Sequence, residues 1–352
     1  MSASAPETIW YTRCPVPTTS GIAQHFRWLH GEFARHGIAL ESIRAAQDQS
    51  VRLSHFDHSH DNQFREGGNV PPLWAKGDGR DTVVVGITWV DEEQLILVRD
   101  DSPLRTAADL KGARLGLPLH ESRIVDIGRA EDLRGLLTAL HIAGIGRDEV
   151  TFVDLAGGDF DLRETREVGG GEKLRLGAAA LLNGKVDAIY AKGAFSATLI
   201  ERHGFHPILD INQQEDPLLR VNAGTPRPIT VNRDLARDHP EIVARYLAVL
   251  VKTAEWARSH PEEVVKALAA ETGATEAAVR RGFGPQVHEH FEVTLSPVSL
   301  AGLRAQKDYL AGEGFIRDFD FDGWIDPAPL ALAATLVGQV DLAADAAVAE
   351  PA

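Results

Sequence analysis

Short runs rich in β-branched and aromatic residues alternate with stretches of helical periodicity along most of this chain, and no other feature constrains its fold so strongly. The runs are Thr8–Thr12, Ile38–Ile43, Thr82–Val85, Leu95–Arg99, Arg114–Leu117, Val150–Val153, Ala188–Tyr190, Pro207–Ile211 and Pro228–Val231. Such alternation is the pattern of parallel sheets with helical crossovers, so an α/β protein is expected. At roughly 150 residues per domain, 352 residues correspond to two domains. Two turn-rich places divide the chain: Ser102-Pro103, just after the strand-like QLILVRDD, and the stretch VNAGTPRP from Val221 to Pro228. One lobe is therefore expected to hold residues 1–102 together with 226–352, and the other residues 103–225.

The first helix is expected over Gly21–His36, where Ile22, Phe26, Leu29 and Phe33 share one face and Gly37 offers a C-cap. From Pro240 onward the chain reads as successive helices opening with proline, threonine and acidic residues. The alanine-rich acidic end from Asp341 has little to bury and is expected to fray. With 36 basic against 51 acidic side chains the net charge is −15, which disfavours nucleic acid as a partner. A single cysteine cannot form an internal disulfide, so the fold does not depend on an oxidising compartment. No stretch approaches the ~18 continuous apolar residues of a membrane span, and the N-terminus lacks a basic segment followed by an apolar one. A cytoplasmic monomer is expected.

Three places can carry chemistry. Cys14 follows a strand directly, where open α/β sheets bind ligands, and Pro15 and Pro17 restrict its backbone. Its plain alternative is an inert buried thiol. Between Ser54 and Asp61 lie His55, His58 and His60, three of the fourteen histidines, which could ligate a metal or lend one imidazole to a site. They lack a glutamate or cysteine companion at a recognisable metal-binding offset, so no metal is expected. Arg65-Glu66-Gly67-Gly68 reads as a loop whose backbone N–H groups and guanidinium could hold an anion. Trp74 and Trp89 could wall an apolar pocket or simply pack. Gly169-Gly170-Gly171-Glu172-Lys173 lacks phosphate-loop spacing and reads as a connection. Neither a G-x-S-x-G elbow nor a dinucleotide fingerprint is present.

Taken together, TRCPVP, SHF, Arg65 with its glycine pair, GGNVPPL, GIT, LVRDDSPLRTAADLKGARLGL and GKVDAIY resemble the bacterial 2'-hydroxybiphenyl-2-sulfinate desulfinase family. That family lies within the wider group of sulfonate, taurine and nitrate substrate-binding proteins of ABC transporters. RDDSPLRTAADLKGARLG and NGKVDAIY occur across the wider group, whereas the CPVP, His-Phe and Arg-x-Gly-Gly elements discriminate. The resemblance implies a type II periplasmic-binding-protein fold, two α/β lobes joined by two crossover segments with a cleft between them. It matches Cys14 to the essential cysteine, His55 to its histidine neighbour and Arg65 to the sulfinate-binding arginine, with Gly68 on the second glycine of the loop. Gly67 and Trp74 complete the expected substrate-binding set. Two departures, Glu66 for phenylalanine and Gly128-Arg129-Ala130 where the family places a tryptophan, put charge in place of apolar surface and disfavour a purely aromatic ligand.

The activity implied is hydrolysis of the carbon–sulfur bond of an aryl or related sulfinate, releasing sulfite without cofactor or metal. Cys14 would act either as a thiolate attacking sulfur or as an S–H donating a proton to carbon, with His55 orienting it. The competing readings are a solute-binding protein for a sulfonate or other small organic anion, a hydrolase or lyase using Cys14 on another acid, and a metal enzyme centred on the histidines.

Overall fold

The structure is a computed structural model that describes residues 5–120, 125–157 and 171–349. In chain order its elements run β1 (Thr8–Arg13), α1 (Thr19–His25), α2 (Trp28–Arg35), β2 (Ala39–Ser42), α3 (Gln49–Asp57), β3 (Gln63–Glu66), α4 (Val70–Gly77) and β4 (Thr82–Thr88). There follow β5 (Gln94–Val98), β6 (Arg114–Leu119), α5 (Ile127–Ala143), β7 (Thr151–Ala156), α6 (Gly171–Leu182), β8 (Ile189–Lys192), α7 (Gly193–His203) and β9 (His206–Asp210). The remainder is β10 (Arg227–Asn232), α8 (Arg233–Asp238), α9 (Pro240–Ala257), α10 (Pro261–Thr272), α11 (Glu276–Phe283), α12 (Pro297–Gly312), α13 (Ala328–Leu336) and α14 (Leu342–Ala349). The expected GGGEK connection begins among residues outside the described set.

The chain folds as two compact units. The first holds residues 1–90, 226–271 and 286–352, and its sheet has the order β2-β1-β3-β10-β4. β1 runs parallel to both β2 and β3, while β10 is antiparallel to β3 and β4. The register sets Thr12 opposite Arg65 and Arg13 opposite Glu66, so the residues after β1 emerge beside those after β3. Every residue of β4 is buried, as a near-continuous apolar strand covered on both faces should be. α9, whose Leu247, Ala248 and Leu250 are fully buried, packs against α1 and α13.

The second unit holds residues 91–225 and 272–285. It contains the antiparallel trio β8-β5-β9 and the parallel pair β6-β7. Its core gathers Leu95, Leu97, Leu155, Leu181, Ile189 and Phe205. Residues 91–102, expected in the first lobe, fold here because β5 makes its ladders with β8 and β9. Residues 272–285 join it because α11 packs on α7 and the Glu93 N–H donates to the Gly282 carbonyl at 2.7 Å.

Three local expectations change. The helix expected over Gly21–His36 is two helices, broken where Arg27 takes a left-handed conformation with φ 61°. Arg65 and Glu66, read as part of a loop, end the strand Gln63–Glu66; its sequence QFRE hides this because Arg65 and Glu66 are both wholly buried and find polar partners. The alanine-rich end, expected to fray, forms α14 and packs on α2. Gly31 makes room for it, since a Cβ there would lie 1.8 Å from the Asp345 carbonyl oxygen. Asp345 is fully buried and pairs with Arg35. Among the described residues no helix is long and apolar enough to cross a membrane.

Candidate active site

Cys14 is the first residue beyond β1, at the carboxyl end of the parallel strands. Its N–H donates to the Glu66 carbonyl at 3.4 Å, and its own carbonyl accepts from Val16 N–H at 2.8 Å, a tight turn that Pro15 favours. Thr18 then caps α1 by accepting from the Gly21 N–H. The sulfur is therefore held between two backbone contacts on a short, proline-restricted segment.

Arg65 comes from the neighbouring strand and has no exposed surface. Its Nε donates to the His55 carbonyl at 3.2 Å, Nη1 to the Gly68 carbonyl at 2.9 Å and Nη2 to the Cys14 sulfur at 3.4 Å. No carboxylate pairs with this guanidinium among the described residues. Burial pulls its pKa below the usual arginine value and the adjacent sulfur opposes that shift; it remains a fixed cation.

His55 lies in the last turn of α3. Its Nε2 faces the Cys14 sulfur at 3.9 Å, and its Nδ1 lies 2.6 Å from the Thr12 hydroxyl oxygen. Burial first, then the charges of Arg65 and Arg44, hold the imidazole well below its ordinary pKa, so the ring is neutral. The structure thus brings Cys14, His55 and Arg65 together.

The glycine pair completes the frame. Gly67 adopts φ +149°, and a Cβ there would come within 2.7 Å of the Cys14 sulfur. Only glycine allows the backbone to pass so close. Neither the Gly67 nor the Gly68 N–H has a hydrogen-bond acceptor among the described residues.

Other expected residues fall elsewhere. His58 is buried at the left-handed end of α3 with Nε2 3.3 Å from the Thr230 hydroxyl, and His60 packs against Trp10 with centroids 4.8 Å apart and ring planes tilted by 39°. The three histidines thus have three different surroundings, and no group of ligands suited to a metal occurs among the described residues. Trp74, on α4, is half-buried, and no hydrogen bond or ring contact ties it to the thiol, the imidazole or the guanidinium.

Glu66 corrects an expectation. Strand alternation turns it to the face opposite Arg65, where its carboxylate accepts from the N–H groups of Thr19 and Ser20 at 3.2 and 2.7 Å and from the Thr88 hydroxyl at 2.9 Å. It does not put charge beside the thiol. Arg129, at the start of α5 in the second unit, donates to Asp154 and to the Pro118 carbonyl. Sequence reasoning missed Thr12; the signal available was alternation along β1, which separates Thr12 from Tyr11 and Arg13.

No family model matches the chain. It is 29% identical over 357 residues to the 2'-hydroxybiphenyl-2-sulfinate desulfinases of Rhodococcus erythropolis and Rhodococcus qingshengii, covering 93% of this chain and 93% of each relative. The desulfurization enzyme DszB, solved as a cysteine-to-serine mutant in complex with biphenyl-2-sulfinic acid, superposes with a TM-score of 0.73 at 26% identity, over 93% of this chain and 99% of that one. The aliphatic sulphonate-binding protein SsuA of Escherichia coli gives 0.64 at 17% identity over 92% of both chains, a likeness of fold alone. The fold is that of the periplasmic binding proteins.

Proposed function

We propose that this chain is a sulfinate desulfinase, a hydrolase that replaces the carbon–sulfur bond of an aryl or related sulfinate by a carbon–hydrogen bond and releases sulfite. One observation carries the reading: the wholly buried Arg65 guanidinium, without a carboxylate partner among the described residues, sits 3.4 Å from a thiol sulfur. A buried cation calls for an anion, and the one adjoining it would lie against the thiol. Similarity to the desulfinases along 93% of both chains supports the same reading.

In this mechanism the sulfinate oxygens bind Arg65 and the N–H groups of Gly67 and Gly68, contacts worth roughly 1.5–3 kcal/mol for a charge-assisted pair. A thiolate attacking the sulfur of an anion would meet like charge, so the proton-donor role of Cys14 is the better fit. The S–H proton passes to the carbon bearing sulfur, the carbon–sulfur electron pair becomes the carbon–hydrogen bond, and sulfur dioxide leaves. Arg65 faces the thiolate that results. Water then adds to sulfur dioxide, giving bisulfite and a proton that returns to Cys14, with the neutral His55 3.9 Å away as the relay. The sum is RSO₂⁻ + H₂O → RH + HSO₃⁻, which balances without an electron acceptor.

The catalytic thiol must stay reduced, which suits the cytoplasmic location expected from sequence; cell fractionation tests that, and sedimentation tests the expected monomer. The deciding experiment is sulfite release from biphenyl-2-sulfinate and benzenesulfinate. Release by the wild type, abolished in Cys14→Ser, supports the proposal. Ligand-induced thermal stabilisation without product in the wild type would instead make the chain a solute-binding protein.

A further inference from the structure

Cys14 is the chain's one cysteine and is partly exposed, and the only other sulfur in the sequence is that of Met1. Reactive thiols stand in electropositive, partly exposed surroundings. This one has the Arg65 guanidinium 3.4 Å from its sulfur. The neutral His55 imidazole, with Nε2 3.9 Å away, is placed to accept the S–H proton. With no second cysteine in the chain, a sulfenic acid formed here has no internal thiol to condense with, so a second oxidation is the next reaction open to it.

What would receive the added oxygens is already in place. Arg65 has no exposed surface and no carboxylate partner among the described residues, where its hydrogen bonds go to the His55 carbonyl, the Gly68 carbonyl and the sulfur itself. The Nη2 donor that now meets a weak sulfur acceptor would meet an anionic oxygen bonded to that sulfur as a charge-assisted contact. Gly67 brings bare backbone so close that a Cβ would lie 2.7 Å from the sulfur, and the Gly67 and Gly68 N–H groups have no acceptor among the described residues. A cysteine sulfinate carries the same SO₂⁻ group as an aryl sulfinate, on a carbon fixed to the protein, so the donors that suit one suit the other.

We infer that Cys14 is a modification site at which hydrogen peroxide produces cysteine sulfinic acid, held by Arg65 and the Gly67 and Gly68 N–H groups in the seat of a substrate sulfinate. The inference shares only that anion seat with the desulfinase reading. In the first step the sulfur lone pair forms the S–O bond as the O–O bond breaks, and the thiol proton passes to the departing hydroxide: RSH + H₂O₂ → RSOH + H₂O. The second step adds another oxygen: RSOH + H₂O₂ → RSO₂⁻ + H₂O + H⁺. Sulfur is oxidised in both, and the peroxide oxygens are reduced to water. Sulfonic acid formation needs the lone pair that remains on sulfur, and hydrogen bonds that draw charge onto the two oxygens make that pair a poorer nucleophile.

The test treats the wild type and Arg65→Gln with hydrogen peroxide and follows the Cys14 peptide by mass spectrometry. In the wild type the form with two added oxygens is expected to accumulate and persist. The protein carrying it is expected to melt about 2–4 °C above the reduced protein, because a buried cation has gained an anion. In Arg65→Gln the two-oxygen form is expected to be lost to the three-oxygen form. Passage of wild-type Cys14 straight to three oxygens overturns the inference, as does a Cys14 that resists peroxide, an oxidised protein with no rise in Tm, or equal accumulation in Arg65→Gln. If Arg65→Gln does not fold, the two wild-type measurements decide. Sulfite release from benzenesulfinate by the reduced protein is measured alongside. The two-oxygen form without turnover supports the inference and rejects the desulfinase reading; turnover without the two-oxygen form does the reverse.

Discussion

Arg65 Nη2 donates to the Cys14 sulfur at 3.4 Å, joining β3 to the first residue beyond the adjacent strand β1, whose register places Thr12 opposite Arg65. The fork geometry is what aligns the other two nitrogens on the His55 and Gly68 carbonyls. Arg65→Lys keeps the charge and loses the fork. We expect kcat/KM for sulfite release to fall at least about 100-fold, consistent with loss of charge-assisted contacts worth roughly 1.5–3 kcal/mol each. A lysine variant with near wild-type turnover would show that charge alone suffices.

Thr12 fixes His55 from behind, its hydroxyl 2.6 Å from Nδ1. Thr12→Val leaves a buried ring nitrogen without that partner, at a cost of about 1–3 kcal/mol. Turnover is expected to drop about tenfold or more by the same measure, with Thr12→Ser close to wild type. The comparison of kcat between valine and serine variants checks this, and equal values would remove Thr12 from the mechanism.

Gly67→Ala sets a Cβ within 2.7 Å of the Cys14 sulfur at a backbone angle of +149°. Backbone strain of this kind costs about 1–3 kcal/mol, so a lower Tm is expected together with loss of sulfite release. Full activity in the alanine variant would mean that the sulfur does not need its present position.

His58 is buried beside the charges of Arg65 and Arg80, and burial above all takes its pKa down to about 3. A histidine depressed on folding contributes stability that is complete above its unfolded value of about 6.5 and is lost as pH falls toward the folded value. Tm should therefore decline from neutral pH toward pH 4. Asparagine tolerates the left-handed backbone at this position, where φ is 51°. His58→Asn is expected to flatten the decline; an unchanged slope would assign it to other groups.

Asp345 behaves in the opposite sense. Burial, with Glu32 and Asp341 nearby, lifts its pKa to about 7 although Arg35 lowers it; Arg245 and His36 also face Glu32. A carboxyl raised on folding contributes stability that is full below its unfolded value and lost as pH rises through the folded one. α14 should loosen above neutral pH, and Asp345→Asn should abolish that dependence. Hydrogen exchange of α14 amides at pH 6 and 8 reads it directly, and identical protection at the two values would contradict it.

Much of this site was legible because its chemistry is concentrated in short motifs: Cys14 between arginine and prolines, and Arg65 ahead of two glycines. The strand that carries Arg65 was not legible, since QFRE lacks apolar alternation once two charged residues are buried by partners distant in sequence. Cys14 meets Arg65 across 51 positions and Glu66 meets Ser20 across 46, and only the assembled sheet brings such pairs together. The expected fraying of the chain's end failed for a related reason. Composition measured how little α14 could bury, but its docking depends on Gly31 and Arg35 in α2.

Glu66 touches the segment after β1 twice, its carbonyl taking the Cys14 N–H and its carboxylate the N–H groups of Thr19 and Ser20. Six intervening peptide links are thereby closed on one residue of a rigid strand, and their freedom is surrendered during folding. An arriving ligand then finds the sulfur already in place and need not organise it, so its binding free energy stays available for lowering the barrier to bond cleavage.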